Sequence, residues 1–460
     1  MTAEAQADGL PNAAAGAQVQ QPWPKPHLAW YAVFILMLVV MFGTIEIQVI
    51  NYLIKPIKRD FKLSDLQMSL LIGVAPSIFY VCLGFPLARL VDSTRRTALL
   101  SVALAVAGCM TSLAGLTQKF WQFAICRVLV GGGGAVTNPG IYSLLSDFFP
   151  RERLTRAIAV MSLGVIFGRS AAPVVNGALA GFGQKLGHLH LGSLEIRDWQ
   201  IVFFMAGSLG LLGALLMLTV REPQRRGRIS TAPGKAMPVS QVFAYVWRNK
   251  ALYLPQFLAL AFYAVESWGL ESWRVEFLRR TYGWEPQMSG PVLGLSALVS
   301  AFIGLTLGTR LTEMFSKRYD DANLRTVSCC YILAPIFATA APLMPTPWLA
   351  IICSGITGVL GTAGVAPQNA ALQSVTPNEM RGQITAIYYF VFTAIGVGLG
   401  PTLMAFITDV VIGDENQIRY AMSASAALMT PLAAVFMLMA VKPYGRAIKE
   451  LKAREAAAWT

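Results

Sequence analysis

The sequence predicts an all-α membrane protein with twelve transmembrane helices in two six-helix bundles. The first observation is composition: 55% of the 460 residues are hydrophobic and 13% are charged, whereas soluble domains carry about 25% charged residues. The second is that apolar runs long enough to cross a hydrocarbon core of about 30 Å recur along the whole chain. The third is a weak internal repeat. Disordered, collagen-like, small disulfide-rich and ordinary soluble enzyme classes are thereby excluded.

The apolar runs fall into two sets of six, on either side of the polar stretch 221–250. Prolines and glycines inside the runs, such as Pro76 and Pro139, are compatible with helix because neighbouring membrane helices satisfy the freed backbone groups. In chain order, the predicted helices are 30–53, 68–91, 98–116, 121–148, 157–182, 201–220, 252–275, 288–311, 327–343, 348–375, 384–407 and 421–441.

The predicted domain organisation follows from these runs. The segment 1–28 is rich in Ala, Gln and Pro and lacks the apolar core of a signal peptide, so a disordered cytoplasmic tail is expected. The other predicted units are a first bundle at 29–221, a linker at 222–250, a second bundle at 251–442 and a cytoplasmic tail at 443–460. Helix 2 ends in a charged segment that contains Asp92, and helix 8 ends in a similar segment that contains Glu313, 221 positions later. Such equivalent positions are expected of two parallel repeats.

The distribution of basic residues predicts the orientation. With both termini in the cytoplasm, 24 of the 37 Lys and Arg fall on the inner side and 10 on the outer side, as the positive-inside rule requires. We therefore expect a multi-pass protein of a bacterial inner membrane. Because most basic residues lie in short loops, where they orient the helices, the net charge of +13 does not predict a nucleic-acid partner. The six cysteines lie in apolar runs without paired spacing, so no metal or cofactor is expected.

Several segments resemble the major facilitator superfamily, and within it the Spinster-like branch. They are the stretch 56–65 after helix 1, the run 88–96 between helices 2 and 3, Arg127 with Gly131 on helix 4, and the segments 143–150 and 367–373. The chain departs from the branch in two places, with Glu46-Ile47 for Asp-Arg and with Gly133-Gly134-Ala135 for Gly-Glu-Ala. The resemblance implies two bundles that rock around a central cavity bordered by helices 1, 4, 5 and 7.

Four ionisable residues are expected between the midplane and the outer third of the membrane: Glu46, Arg127, Arg169 and Glu266. Each costs at least about 2.5–3.5 kcal/mol to insert, so each is a candidate functional residue. Two interpretations stay open for each of them, namely proton coupling or substrate recognition on one side and a structural ion pair on the other. Glu46 is expected near Arg127. The candidate substrate and coupling set is completed by two polar residues, Tyr263 and Asn138.

Charged residues at the cytoplasmic helix ends form a second candidate set. The resemblance implies that they tie the two halves together when the inner side is closed, whereas topology and solubility alone would also explain them. This candidate gate comprises Asp92, Arg95, Arg96, Asp147, Glu313 and Arg381. Near the outer boundary of helix 7, Glu271 and Arg274 are three residues apart and are expected to form a local ion pair.

The sequence therefore predicts a secondary transporter that moves a small organic solute by alternating access, not an enzyme. A proton gradient is the expected energy source because the chain contains no P-loop motif for ATP. Protons, a small-molecule substrate and membrane lipids are the expected partners of a monomer. Arg169 has no counterpart in the residue pattern of the Spinster-like branch, and its permanent planar charge favours an organic anion as substrate. A lysolipid or another amphipathic solute is the alternative, and a membrane receptor or enzyme is a remote one.

Overall fold

A computed structural model describes residues 23–191, 194–225, 239–377 and 380–458. Most of the predicted tail 1–28 lies outside them. In this part of the chain, ten helical segments are long and apolar enough to cross a membrane. Two further long helices, Phe120–Phe148 and Lys250–Tyr282, complete the predicted twelve. The all-helical architecture predicted from the sequence is confirmed.

The first six helices form the first half. Helix 2 starts with the turn Asp65–Ser69, passes through a π-helical segment at Leu70–Val74 and continues as Ala75–Ser93. The other helices of this half are helix 1 at Pro26–Gln48, helix 3 at Arg96–Ala114, helix 4 at Phe120–Phe148, helix 5 at Arg151–Leu186 and helix 6 at Asp198–Leu218.

The last six helices form the second half. Helix 11 contains two π-helical segments, Phe392–Val397 and Ile407–Ile412, which flank Gly398–Phe406. It begins at Arg381–Val391. The others are helix 7 at Lys250–Tyr282, helix 8 at Pro286–Ser316, helix 9 at Ala322–Ala340, helix 10 at Pro347–Ser374 and helix 12 at Ile418–Ala458.

Small residues allow the helices of the first half to approach closely. Gly108 on helix 3 lies against the backbone of Gly207 and Leu211 on helix 6, where a Cβ would have no room. Ser101 on helix 3 donates a hydrogen bond of 2.9 Å to the Ala214 carbonyl on helix 6. Such small-residue contacts are the usual means of packing between helices in lipid, where burial of apolar surface gives little gain.

The two halves meet along two helix pairs. We name the end that carries the predicted cytoplasmic loops the inner end and the opposite one the outer end. Helix 5 contacts helix 8 from the outer end to the middle, with Gly177 against the Pro286 carbonyl and Gly294 against the Ser170 carbonyl. Helix 2 contacts helix 11 where Gly73 lies against the Val397 carbonyl, so the π-helical segments of both helices meet there.

Shorter elements lie outside the twelve helices, among them two helices and a hairpin. A helix at Ile54–Phe61 follows helix 1 at the outer end. A hairpin of Leu189–Leu191 with Leu194–Ile196 lies between helices 5 and 6. In the predicted linker, Val239–Arg248 is helical and buries Val242 against the second half.

Candidate functional site

Arg169 lies near the middle of helix 5 and faces the boundary between the halves. Its guanidinium carbon is 5.6 Å from the ring centroid of Trp268 on helix 7. The side chain is exposed, and no carboxylate of the described residues lies within 4.0 Å of it. The indole nitrogen of Trp268 is buried and has no hydrogen-bond partner in the described part of the chain. Arg169 therefore places a cation beside a buried indole N–H that has no partner among the described residues.

Glu46 turns into the first half instead. Its side chain is 3% exposed and accepts a hydrogen bond of 2.6 Å from the Thr111 hydroxyl on helix 3. Its other carboxylate oxygen packs against Gly210 on helix 6, where a Cβ would overlap it. The carboxyl group is therefore enclosed by helices 1, 3 and 6.

Arg127 is also buried within the first half, at 1% exposure. Its Nε donates a hydrogen bond of 3.3 Å to the Leu71 carbonyl, inside the π-helical segment of helix 2. Its Nη1 has no partner among the described residues. Glu46 and Arg127 lie close enough to interact electrostatically, as expected, but their charged atoms are more than 4.0 Å apart and form no direct ion pair in this structure.

Glu266 and Tyr263 turn into the second half. Glu266 is 2% exposed and accepts a hydrogen bond of 3.1 Å from the Ser425 hydroxyl on helix 12. Tyr263 stacks on Tyr331 of helix 9, with ring centroids 4.9 Å apart. Helices 1 and 7 were expected to border the central cavity, but the carboxyl groups of Glu46 and Glu266 turn into their own bundles, where hydroxyl groups hold them. The side chain of Asn138 lies outside the described residues.

Among the side chains that the structure describes, the candidate gate residues do not form one network across the halves. Arg96 is buried and pairs with Asp147 at 2.5 Å, within the first half, and with Glu222 at 2.9 Å, just beyond helix 6. The other gate residues with described side chains are exposed, namely Arg95, Glu313 and Arg381. The side chain of Asp92 lies outside the described residues.

Glu222 anchors the end of helix 6 to the start of helix 3. Its carboxylate accepts hydrogen bonds from the backbone and the hydroxyl of Thr97, both at 2.8 Å, besides its pair with Arg96. Burial acts to raise the pKa of Glu222, but these hydrogen bonds and the Arg96 charge outweigh it and hold the pKa below its ordinary value of 4.5.

An ion-pair cluster that was not predicted from the sequence joins the halves at the outer end. Arg280 on helix 7 binds both oxygens of Asp65 on helix 2, at 2.6 and 2.8 Å, and also binds Glu276 at 2.6 Å. Lys58 pairs with Asp65 and, at 2.7 Å, with Glu415. The i, i+4 spacing of Glu276 and Arg280 predicts an ion pair between these two residues, but nothing in the sequence indicates that Asp65 lies beside them.

One predicted pair on the same helix is confirmed. Arg274 Nη2 lies 3.4 Å from Glu271 Oε2, and both side chains are 26% exposed.

One group of carboxylates has the spacing of a metal site. Oxygens of Asp65, Asp409 and Glu415 lie within 4.8 Å of one another. Lys58 and Arg280 already neutralise Asp65, and the Leu66 backbone N–H donates to Asp409 at 2.7 Å. The group is therefore explained as part of the ion-pair cluster, without a metal ion.

Two six-helix halves that meet along their length, with a cation at their boundary, are typical of a membrane transporter built from two repeats. The family model of the Major Facilitator Superfamily matches residues 33–401. The chain belongs to this superfamily.

Individual relatives agree with the superfamily assignment. An MFS-type efflux pump of Mycolicibacterium smegmatis is 26% identical over 90% of this chain and 92% of its own. The protein spinster of Drosophila melanogaster is 23% identical over 68% of this chain and 51% of its own. A crystal structure of a bacterial homologue of the human lysosomal transporter Spinster, inward-facing and unoccupied, has a TM-score of 0.75 at 24% identity and covers 93% of this chain and 98% of that one. The Spinster resemblance is thus confirmed.

Proposed function

We propose that this transporter moves a small organic anion by proton-coupled alternating access. The substrate class is inferred from Arg169. This residue faces the boundary between the halves and has no carboxylate partner among the described residues. A permanent charge at mid-membrane is costly unless another charge or water compensates it. An anionic ligand would supply that charge, and the planar guanidinium fork suits a carboxylate or phosphate. The free N–H of Trp268 would add a second donor.

Glu46 is the proposed coupling residue. It is buried, accepts one hydrogen bond from a hydroxyl group and forms no ion pair with a described residue. A carboxyl in such a site can exist in either protonation state at little extra cost, because burial favours the neutral form and the nearby Arg127 charge favours the ionised form. Binding and release of one proton would bias the packing of helices 1, 3 and 6.

A second candidate function is export of an amphipathic solute. Two observations favour it. One relative is an efflux pump, and the Arg169 guanidinium lies beside a large aromatic ring, which could pack against an apolar group. We further propose that the chain works as a monomer in contact with membrane lipids, with both termini in the cytoplasm of a bacterial cell.

A ligand screen on the purified protein separates the two substrate classes. Thermal shifts are measured with a panel of small organic acids and a panel of lysolipids. Organic acids should stabilise the native protein, because a ligand that binds the folded state raises its melting temperature. Arg169→Ala should weaken binding of the best acid about 10- to 150-fold, since a hydrogen bond to a charged group is worth about 1.5–3 kcal/mol. Arg169→Lys should also weaken it, because the fork is lost.

Arg156→Ala is the matched control, since Arg156 is exposed on the same helix near its inner end. It should leave binding unchanged. Stabilisation by lysolipids alone, equal in the native protein and in Arg169→Ala, would contradict the organic-anion proposal and favour the amphipathic solute.

A further inference from the structure

The second half encloses a cavity that the proposed transport site does not use. It measures about 670 Å³ including its mouth and lies among helices 7, 9, 10 and 12. Along helix 7 its wall runs from Tyr263 to Phe277, which is about 21 Å at 1.5 Å per residue. Ala341 and Pro342, at the outer end of helix 9, line the same cavity. The cavity therefore extends from mid-membrane towards the outer end.

Glu266 is the buried acid of this cavity. One of its oxygens accepts the hydrogen bond from Ser425, while Oε1 is buried and has no partner among the described residues. No described cation lies within ion-pair distance of it. An unpaired ionised carboxylate is costly in such surroundings, so binding a proton is the simplest way to neutralise it.

The position of Glu266 matches that of Glu46 in the repeat. The two acids are 220 residues apart on helices 1 and 7, close to the 221 that separates Asp92 from Glu313. Each carboxyl group points into its own half and accepts a hydrogen bond from a hydroxyl group, Thr111 in one and Ser425 in the other. Neither forms an ion pair with a described residue. The two halves thus carry a buried carboxyl group with one hydroxyl partner at equivalent places, and only Glu46 has an arginine, Arg127, nearby.

We propose that Glu266 is a second proton-binding site, which protons reach through the cavity of the second half. The inference rests on the proposed coupling at Glu46 and extends it to two protons per transport cycle, one in each half.

Other polar groups around Glu266 would modulate this site without neutralising it. Arg274 is eight residues, or about 12 Å, further along helix 7 and is already paired with Glu271. Arg169 on helix 5 lies over the Trp268 ring and acts electrostatically on Tyr263, and it is not within ion-pair distance of Glu266. The remaining titratable or hydroxyl groups are Tyr263 and Ser267 on helix 7, Cys330 and Tyr331 on helix 9, Ser354 and Thr357 on helix 10, and Ser425 and Thr430 on helix 12.

Dicyclohexylcarbodiimide tests the proposal without knowledge of the substrate, because it modifies carboxyl groups that are protonated in apolar surroundings. The full-length protein is labelled in membrane vesicles over a range of pH and the sites are mapped by mass spectrometry. Glu266 should be labelled, and its labelling should fall as the pH rises. Glu271 and Glu276, paired with arginines on the same helix, are internal controls and should stay unlabelled.

Thr357 provides a matched pair of variants for the cavity. Thr357→Leu, which narrows the cavity, should slow labelling of Glu266 several-fold and leave that of Glu46 unchanged. Thr357→Val keeps the shape and should leave both rates unchanged.

Three outcomes separate the two proposals. Labelling of Glu46 without Glu266 at any pH would overturn the second site and leave the proposed coupling intact. Labelling of Glu266 without Glu46 would support the second site and contradict coupling at Glu46. Protection of Glu266 by sodium chloride, but not by choline chloride, at constant pH would overturn the proposal in favour of a sodium site.

Discussion

Arg96 shows how a buried charge is held at the inner end. Its guanidinium is 2% exposed and is bound by two carboxylates, Asp147 and Glu222, and by the Ser143 carbonyl at 2.9 Å. Losing one partner of a buried charge leaves the other groups incompletely compensated. Glu222 is the informative partner, because it lies outside the membrane helices and its hydrogen bonds keep it ionised.

We expect Glu222→Gln to lower the stability at pH 7 by on the order of 1–2 kcal/mol, since a hydrogen bond to a charged group is lost. The folded-state pKa of Glu222 lies below its ordinary value of 4.5. Its contribution is therefore complete above about pH 4.5 and is lost as the pH falls through the folded-state pKa.

Melting temperatures of the native protein and the variant across this pH range measure the effect. The difference should be largest near neutral pH and should vanish in acid. Glu450→Gln, at an exposed position of helix 12, should show no such difference. A constant difference at all pH values would show that Glu222 acts by packing alone.

The sequence predicts where the buried charges lie along the helices but not which way their side chains point. Glu46, Arg127 and Glu266 are charged residues within membrane helices, and this alone identified them as candidate functional residues. Which way each side chain turns depends on the rotation of its helix, and the nearly uniform hydrophobicity of these helices leaves no stripe from which to read it. Thr111 and Ser425, which hold the two acids, look like ordinary small residues of helix interfaces.

At the scale of helices, the contact between helices 1, 3 and 6 depends on glycine. Gly210 on helix 6 leaves the space that the Glu46 carboxylate fills, whereas Gly213, one turn further along, has its nearest outside atom 3.8 Å from where a Cβ would lie. The two positions are thus a matched pair on one helix. The same helix can accept a methyl group at one and not at the other.

Gly210→Ala should destabilise the protein by about 1–3 kcal/mol through overpacking and should displace the Glu46 carboxyl. Gly213→Ala should be neutral or slightly stabilising, because Ala favours the helix over Gly. Thermal unfolding measures both variants. Equal effects of the two substitutions would contradict the close packing of Glu46 on helix 6.

The π-helical segments of helices 2 and 11 could not be predicted from the sequence. They require only one extra residue in a turn, and the local sequences, Leu70–Val74 and Phe392–Val397, are as apolar as their neighbours. The ends of the helices were predicted within a few residues in most cases. Helix 7 extends further at its outer end, where ion pairs of Glu276 with Arg279 and Arg280 stabilise the last turns.

At the scale of the whole molecule, the outer end is held closed by charges. Asp65 of the first half is bound by Arg280 of the second, and Lys58 is bound by Glu415. Because Asp65 and Arg280 are 1% and 5% exposed, their separation requires other groups or water to solvate them. The cluster should therefore control how readily the outer end opens.

Arg280→Ala should shift the population towards an open outer end. Spin labels at Gln118 and Asn416, which are exposed at the outer end of the two halves, report the separation in a cysteine-free protein. The variant should show a longer distance component than the native protein. Lys55→Ala removes an exposed ion pair with Glu285 and is the control, which should leave the distances unchanged. If Arg280→Ala also leaves the distance distribution unchanged, Arg280 does not hold the outer end closed.

In the proposed transport cycle, a proton gradient drives transport through Glu46. The most direct test is uptake of the best ligand of the thermal-shift screen into proteoliposomes, with and without an imposed pH gradient. We predict accumulation only with the gradient in the native protein. In Glu46→Gln we predict no accumulation but persistent exchange of labelled for unlabelled ligand, because exchange needs no net proton movement. Gradient-driven accumulation that survives in Glu46→Gln would exclude coupling at Glu46, and native transport that does not respond to the gradient would exclude proton coupling.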